Sequence, residues 1–194
     1  MTGYDPSTAL IVVDVQNDFA DPEGSLYVRG GDAVVPRVNS QIDAAIAAGG
    51  IVIYTQDWHP EHTPHFAKDG GIWPDHCVRD TRGAAFHPGL KVSGEVVRKG
   101  EDGADGYSAF SVRDPQSGDI SATRLQSLLA TAGVERVVIC GLATDYCVVE
   151  TALDARRLGF GTTVLTSAIA AVERAPGDAG RALDRMREAG VVIG

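Results

Sequence analysis

Cysteine is scarce in this sequence, and basic clusters and long apolar runs are missing altogether. Only three cysteines occur in 194 residues, Cys77, Cys140 and Cys147. An odd number without paired spacing makes no disulfide framework, so a reducing, cytoplasmic setting is expected. Lys and Arg number 17 against 26 Asp and Glu, and the basic residues are scattered, which excludes the electrostatic footprint of nucleic-acid binding. No uninterrupted apolar stretch approaches the ~20 residues of a membrane span. Met1–Pro6 lack the charged start and small-residue cleavage site of a secretion signal.

What is present suits one globular domain. A 44% hydrophobic chain of this length can bury about 70% of its unfolded surface. Six apolar, β-branched runs stand out: Ala9–Val13, Ile51–Thr55, Glu95–Arg98, Arg136–Cys140, Thr162–Leu165 and Val191–Ile193. Most are continuous rather than alternating, the pattern of strands buried on both faces. Helical periodicity covers Val34–Ala48, Ser121–Ala132, Thr144–Leu158 and Asp178–Ala189, and each segment stops at glycine. This repeated rhythm predicts a three-layer α/β/α sandwich with a six-stranded parallel sheet. No linker or repeat marks a second domain, so residues 1–194 are expected to be one domain. The aperiodic stretch Pro60–Ser93, rich in Pro, Gly and His, is too long for a plain connection and predicts a functional loop.

Ligands of open parallel sheets bind at the carboxyl ends of the strands. Asp14 follows the first strand, Asp57 and His59 the second and Lys99 the third, while Cys147 lies seven residues past the end of the fourth. Singly, Asp14 could cap, Lys99 could face solvent and Cys147 could pack in the core. Together they supply a nucleophile, a proton acceptor and a cation. Gly141–Tyr146 reads as a turn and a helix start, with Thr144 or Asp145 as the cap. Cys147 then sits in the first turn, where free amides favour a thiolate and can hold an oxyanion.

Asp57 and His59 share one face of an extended segment. His65 and His76 could complete a mixed nitrogen–oxygen site for one divalent transition metal (Zn, Fe or Mn), with His62 competing for the place of His65. Loop histidines that merely face solvent are the alternative.

The ordered set Asp14-Val15-Gln16-Asn17-Asp18-Phe19, Asp57-Trp58-His59-Pro60, Trp73-Pro74-Asp75-His76-Cys77-Val78, Lys99-Gly100 and Gly141-Leu142-Ala143-Thr144-Asp145-Tyr146-Cys147-Val148 closely resembles nicotinamidases of the isochorismatase-like cysteine hydrolase superfamily. The resemblance implies hydrolysis of nicotinamide to nicotinate and ammonia in NAD salvage, with pyrazinamide as a further substrate. It implies Cys147 as nucleophile, Asp14 as general base and acid, and Lys99 as the third catalytic member. The amides of Ala143 and Cys147 would form the oxyanion hole, beside a cis peptide between Leu142 and Ala143. Asp57, His59, His65 and His76 would hold the metal, in a loop insertion at about 57–93. Phe19, Trp73, Tyr107 and Leu142 would contact the substrate. Ser167 and the acidic, glycine-rich stretch Glu101–Gly106 depart from the family pattern. The expected partner is a small amide, with no nucleic acid or membrane and an undetermined choice between monomer and homo-oligomer. Two other readings remain: another small-amide or carbamoyl hydrolase of the superfamily, and a non-catalytic metal-binding or ligand-sensing domain.

Overall fold

The computed structural model describes residues 3–194. Along the chain come β1 (Thr8–Val13), a short helix α1 (Asn17–Ala20), α2 (Gly31–Ala47), β2 (Ile51–Asp57) and β3 (Glu95–Lys99). A small hairpin follows, β4 (Ser111–Arg113) and β5 (Ile120–Ala122), then α3 (Leu125–Thr131) and β6 (Arg136–Leu142). A π-helical turn at Thr144–Val148 leads into α4 (Val149–Arg157), and β7 (Gly161–Ala170), α5 (Asp178–Glu188) and β8 (Val192–Ile193) complete the described chain.

Six of the strands form one parallel sheet in the order β3-β2-β1-β6-β7-β8, as expected. Their unbroken apolar runs are explained by burial on both sides. In β1, Ala9, Ile11 and Val13 enter one apolar cluster while Leu10 and Val12 enter the other. In β6, Val137 and Ile139 take the first side, and Val138, Cys140 and Leu142 the second. Helix α2 covers the second face through Val34, Val35, Val38, Ile42 and Ala45. Helices α3, α4 and α5 cover the first through Leu125, Leu129, Val149, Ala152, Ala182 and Met186. The result is the three-layer sandwich.

Several boundaries differ from expectation. The helix expected from Ser121 begins only at Leu125, because Ile120–Ala122 pairs with β4. The helix expected over Thr144–Leu158 opens with the π-helical turn, and neither Thr144 nor Asp145 caps it. Ala143 holds the cap position, and the Asp145 carboxylate instead accepts the amides of Val172 and Glu173. Asp57 and Lys99 are the last residues of β2 and β3 rather than the first beyond them. β7 is longer than its apolar run because its register against β6 shifts between Ile139 and Gly141.

Sheet order reverses between β1 and β6, and the crevice at their carboxyl ends is where such sheets receive ligands. Gly141 makes that crevice possible. It lies at φ +110°, and a Cβ there would come within 2.1 Å of the Val13 carbonyl oxygen. Gly141→Ala is therefore expected to cost more than about 3 kcal/mol. Urea denaturation checks this as a lower midpoint, and an unchanged midpoint would contradict it.

Candidate active site

Strand register brings the charged groups together. Asp57 and Lys99 are paired neighbours on β2 and β3, and the Lys99 Nζ lies 2.6 Å from Asp57 Oδ1. The same ammonium lies 2.8 Å from Asp14 Oδ2 and 3.5 Å from Cys147 Sγ. All four residues are buried. Burial opposes the charge on Lys99, but Asp14 and Asp57 outweigh it and hold the ammonium well above its ordinary pKa. Burial also works against ionisation of Asp57, yet the Lys99 ammonium and His59 keep it below the usual carboxylate range.

Asp14 responds the other way: its burial prevails over the attraction of Lys99, and its pKa is raised. Its backbone sits at φ +48°, a left-handed position that Asp tolerates better than most residues. Oδ1 accepts a 2.6 Å bond from the Thr55 hydroxyl. Oδ2 lies against the Lys99 Nζ in an ion pair without an aligned hydrogen bond. One carboxylate oxygen from each of Asp14 and Asp57 lies with Cys147 Sγ in a group whose members are within 4.8 Å of one another. Burial lifts the Cys147 thiol as well, opposed by Lys99.

Cys147 lies within the π-helical turn, one residue before its end. Its i→i+5 pattern is marked by the Val148 amide, which donates to the Ala143 carbonyl at 3.0 Å. The Leu142–Ala143 peptide is cis, as expected. Ala143 and Cys147 both line the cavity above the sheet edge, at a turn start where amides lack intrahelical partners.

The histidines divide cleanly. One ring nitrogen each from His59, His65 and His76 lies within 4.8 Å of the others, and all three residues are buried. His65 Nδ1 lies 2.8 Å from Asp105 Oδ1, and His76 Nδ1 lies 2.8 Å from the Pro74 carbonyl oxygen. Protons on those nitrogens leave both Nε2 lone pairs free. Neither ring nitrogen of His59 has a hydrogen-bond partner, and its Nε2 is 3.8 Å from Asp57 Oδ2. Burial pulls His76 down to about 4, the neutral form a ligand needs. Orphaned buried nitrogens, two oriented imidazoles and an ionised carboxylate fit a divalent transition metal. Gly100 belongs to this fit, since a Cβ there would meet His59 Nδ1 at 2.6 Å. His62, the reserve candidate, is exposed and pairs with Asp69 at 3.2 Å, away from the cluster.

Phe19, Trp73 and Tyr107 line the same cavity as Asp57, the three histidines and Cys147. The Trp73 indole donates to the Tyr107 hydroxyl at 3.0 Å. Leu142 does not join them. It ends a strand, and alternation sends its fully buried side chain into the apolar cluster under α2. Tyr146, Leu26, Val172 and Asp105 went unforeseen. Tyr146 completes an aromatic wall, with its ring centroid 4.9 Å from Trp73 and 5.2 Å from Tyr107. Its position beside Cys147 was the available signal, whereas Leu26 and Val172 carry none. Cys77 and Cys140 are buried in the apolar cluster under α2, and burial pushes the Cys140 thiol up to about 12.

The isochorismatase domain model matches residues 8–194. The nicotinamidase of Escherichia coli is 37% identical, with 97% of this chain and 94% of the relative aligned. The pyrazinamidase of Pyrococcus horikoshii, solved in complex with zinc, superposes with a TM-score of 0.87 at 40% identity, covering 97% of this chain and 99% of that one. The PnC1 protein of L. infantum, solved in complex with nicotinate, gives a TM-score of 0.88 at 38% identity over 100% of this chain and 95% of that one.

Asp105 orients His65 without lying in the histidine cluster, so its loss should act on metal affinity. Asp105→Ala is expected to weaken zinc binding about 10- to 100-fold, and His62→Ala to leave it unchanged. Competition with a chromogenic zinc chelator reads both, and equal affinity in parent and Asp105→Ala would remove Asp105 from that role.

Proposed function

The chain belongs to the isochorismatase family, and on that premise we propose that it is a nicotinamidase, an amidohydrolase converting nicotinamide to nicotinate and ammonia. Pyrazinamide, of the same shape and polarity, is hydrolysed to pyrazinoate by the same route. The observation that carries this reading is Lys99, which lies behind the cavity wall and joins Cys147, a basic carboxylate and Asp57, the carboxylate that lines the cavity beside the three histidines. The histidines favour a heteroaromatic amide over an aliphatic carbamoyl compound, because three inward nitrogens serve no purpose for the latter.

Asp14 takes the thiol proton of Cys147, and Lys99 balances the resulting negative charge. The thiolate attacks the carboxamide carbon, and the amides of Ala143 and Cys147 receive the oxyanion. Asp14 returns the proton to the leaving nitrogen, which departs as ammonia and leaves a thioester on Cys147. Asp14 then deprotonates a water that attacks the thioester, and the proton goes back to the departing sulfur. Phe19, Trp73, Tyr107 and Tyr146 hold the ring flat against apolar walls. Asp57, His59, His65 and His76 would hold a divalent transition metal (Zn, Fe or Mn), which would supply a Lewis-acidic anchor for a ring nitrogen. The three free thiols agree with a cytoplasmic enzyme of NAD salvage, and the match over residues 8–194 with a single catalytic domain.

Cys147→Ala and Asp14→Asn should each lower ammonia release from nicotinamide by about a thousandfold or more. Dialysis against a chelator should lower release and added zinc or manganese should restore it. Near-parental release by Cys147→Ala would overturn the mechanism, and ammonia from a carbamoyl amide but none from nicotinamide would overturn the substrate.

A further inference from the structure

Arg174 lies outside the machinery described above, on the segment that leaves the end of β7. That segment is firmly held. The Asp145 carboxylate accepts the amides of Val172 at 2.9 Å and Glu173 at 2.8 Å. Glu173 adopts φ +54°, and its own carboxylate accepts the Ala179 amide at 2.9 Å. The Ala175 amide donates to Asp178 Oδ2 at 2.8 Å. Both sides of Arg174 are therefore pinned, while Val172, two residues earlier, forms part of the cavity wall.

The exposed Arg174 reaches back to the cavity rim. Its guanidinium carbon lies 5.1 Å from the centre of the Trp73 ring, which itself packs edge-on against Tyr146 at 4.9 Å. Trp73 and Tyr146 both line the cavity. The nearby Asp178 carboxylate is occupied by Arg181 at 2.6 Å, and among the described residues no carboxylate lies within ion-pair distance of Arg174. Deeper in the pocket the charge is carried by Asp14, Asp57 and Lys99, two carboxylates against one ammonium, so no cation there is left over for an anion. An unpaired guanidinium backed by an aromatic face is thus the free charge at the opening.

We propose that Arg174 is the anion-recognising residue of the cavity mouth, selecting a heteroaromatic carboxylate over its uncharged counterpart. The inference rests on the nicotinamidase reading, in which a neutral amide enters and an anion must leave. A chain of net charge −9 repels anions over most of its surface, so a fixed cation at the rim makes a local exception. The guanidinium has planar donors matched to a carboxylate and loses little freedom when it binds, since the aromatic wall already orients it. Its consequence is product retention: nicotinate binds more tightly than the neutral wall alone would allow.

Calorimetry on the metal-loaded parent, Arg174→Gln and Arg174→Lys tests this with two probes, nicotinate and the uncharged nicotinyl alcohol. Arg174→Gln should weaken nicotinate about three- to fivefold at low salt, with the gap closing as salt rises. It should leave nicotinyl alcohol unchanged, and Arg174→Lys should recover most of the loss. Equal weakening of both probes would make Arg174 a packing residue and overturn the proposal. So would unchanged nicotinate affinity in Arg174→Gln, or a parent that binds neither probe. Ammonia release by the parent, measured separately, decides the nicotinamidase reading without reference to the ratio of the two affinities.

Discussion

One buried ammonium, on Lys99, holds the two halves of this site together. It bridges Asp14, which faces the thiol, and Asp57, which faces the histidines. Charges this deep persist only when each is matched, and removing one partner of such a set leaves the rest uncompensated. The match is made by secondary structure. Asp57 and Lys99 are register partners at the ends of adjacent parallel strands, and Asp14 follows the strand on the other side of Asp57. A shift of either strand by one residue would turn its side chain to the opposite face of the sheet.

Unequal environments then assign the work. Lys99 sits on the Asp57 side at 2.6 Å and on the Asp14 side at 2.8 Å. Asp57, with histidines beside it, stays ionised and suits a cation. Asp14 is drawn up by burial, keeps one oxygen without an aligned donor and suits a proton. Two carboxylates on neighbouring strands thus take different tasks because different groups surround them. The π-helical turn contributes the third element, carrying Cys147 from the end of β6 back over the same ammonium.

Much of this was legible in the residues, for identifiable reasons. Strands buried on both faces leave unbroken runs such as Ala9–Val13 and Arg136–Cys140, and helices ending at glycine punctuate the chain, so sheet and layers could be read directly. Asp14, Lys99 and Cys147 were visible because strand ends collect chemistry. The β4–β5 hairpin was not, since Ile120, Ser121 and Ala122 are exposed and carry no periodicity. The π-helical turn leaves an apolar pattern indistinguishable from that of an ordinary helix start. Adjacency to Ala143 does not carry Leu142 into the cavity, because Leu142 is the last residue of β6 and packs fully buried under α2, while Ala143 lies beyond the strand on the cavity wall. His65 and His62 could not be separated by spacing; the folding of the loop turns one inward and leaves the other beside Asp69. Asp105 was hidden because it acts through a histidine.

The account stands on Lys99 being indispensable to the chemistry while belonging to no single half of the site. Ammonia release from nicotinamide by a folded, metal-loaded Lys99→Met variant addresses that directly. The account predicts a loss of about a thousandfold or more, because the thiolate loses its counter-charge and Asp14 its bridge to Asp57. Release within about tenfold of the parent would contradict it.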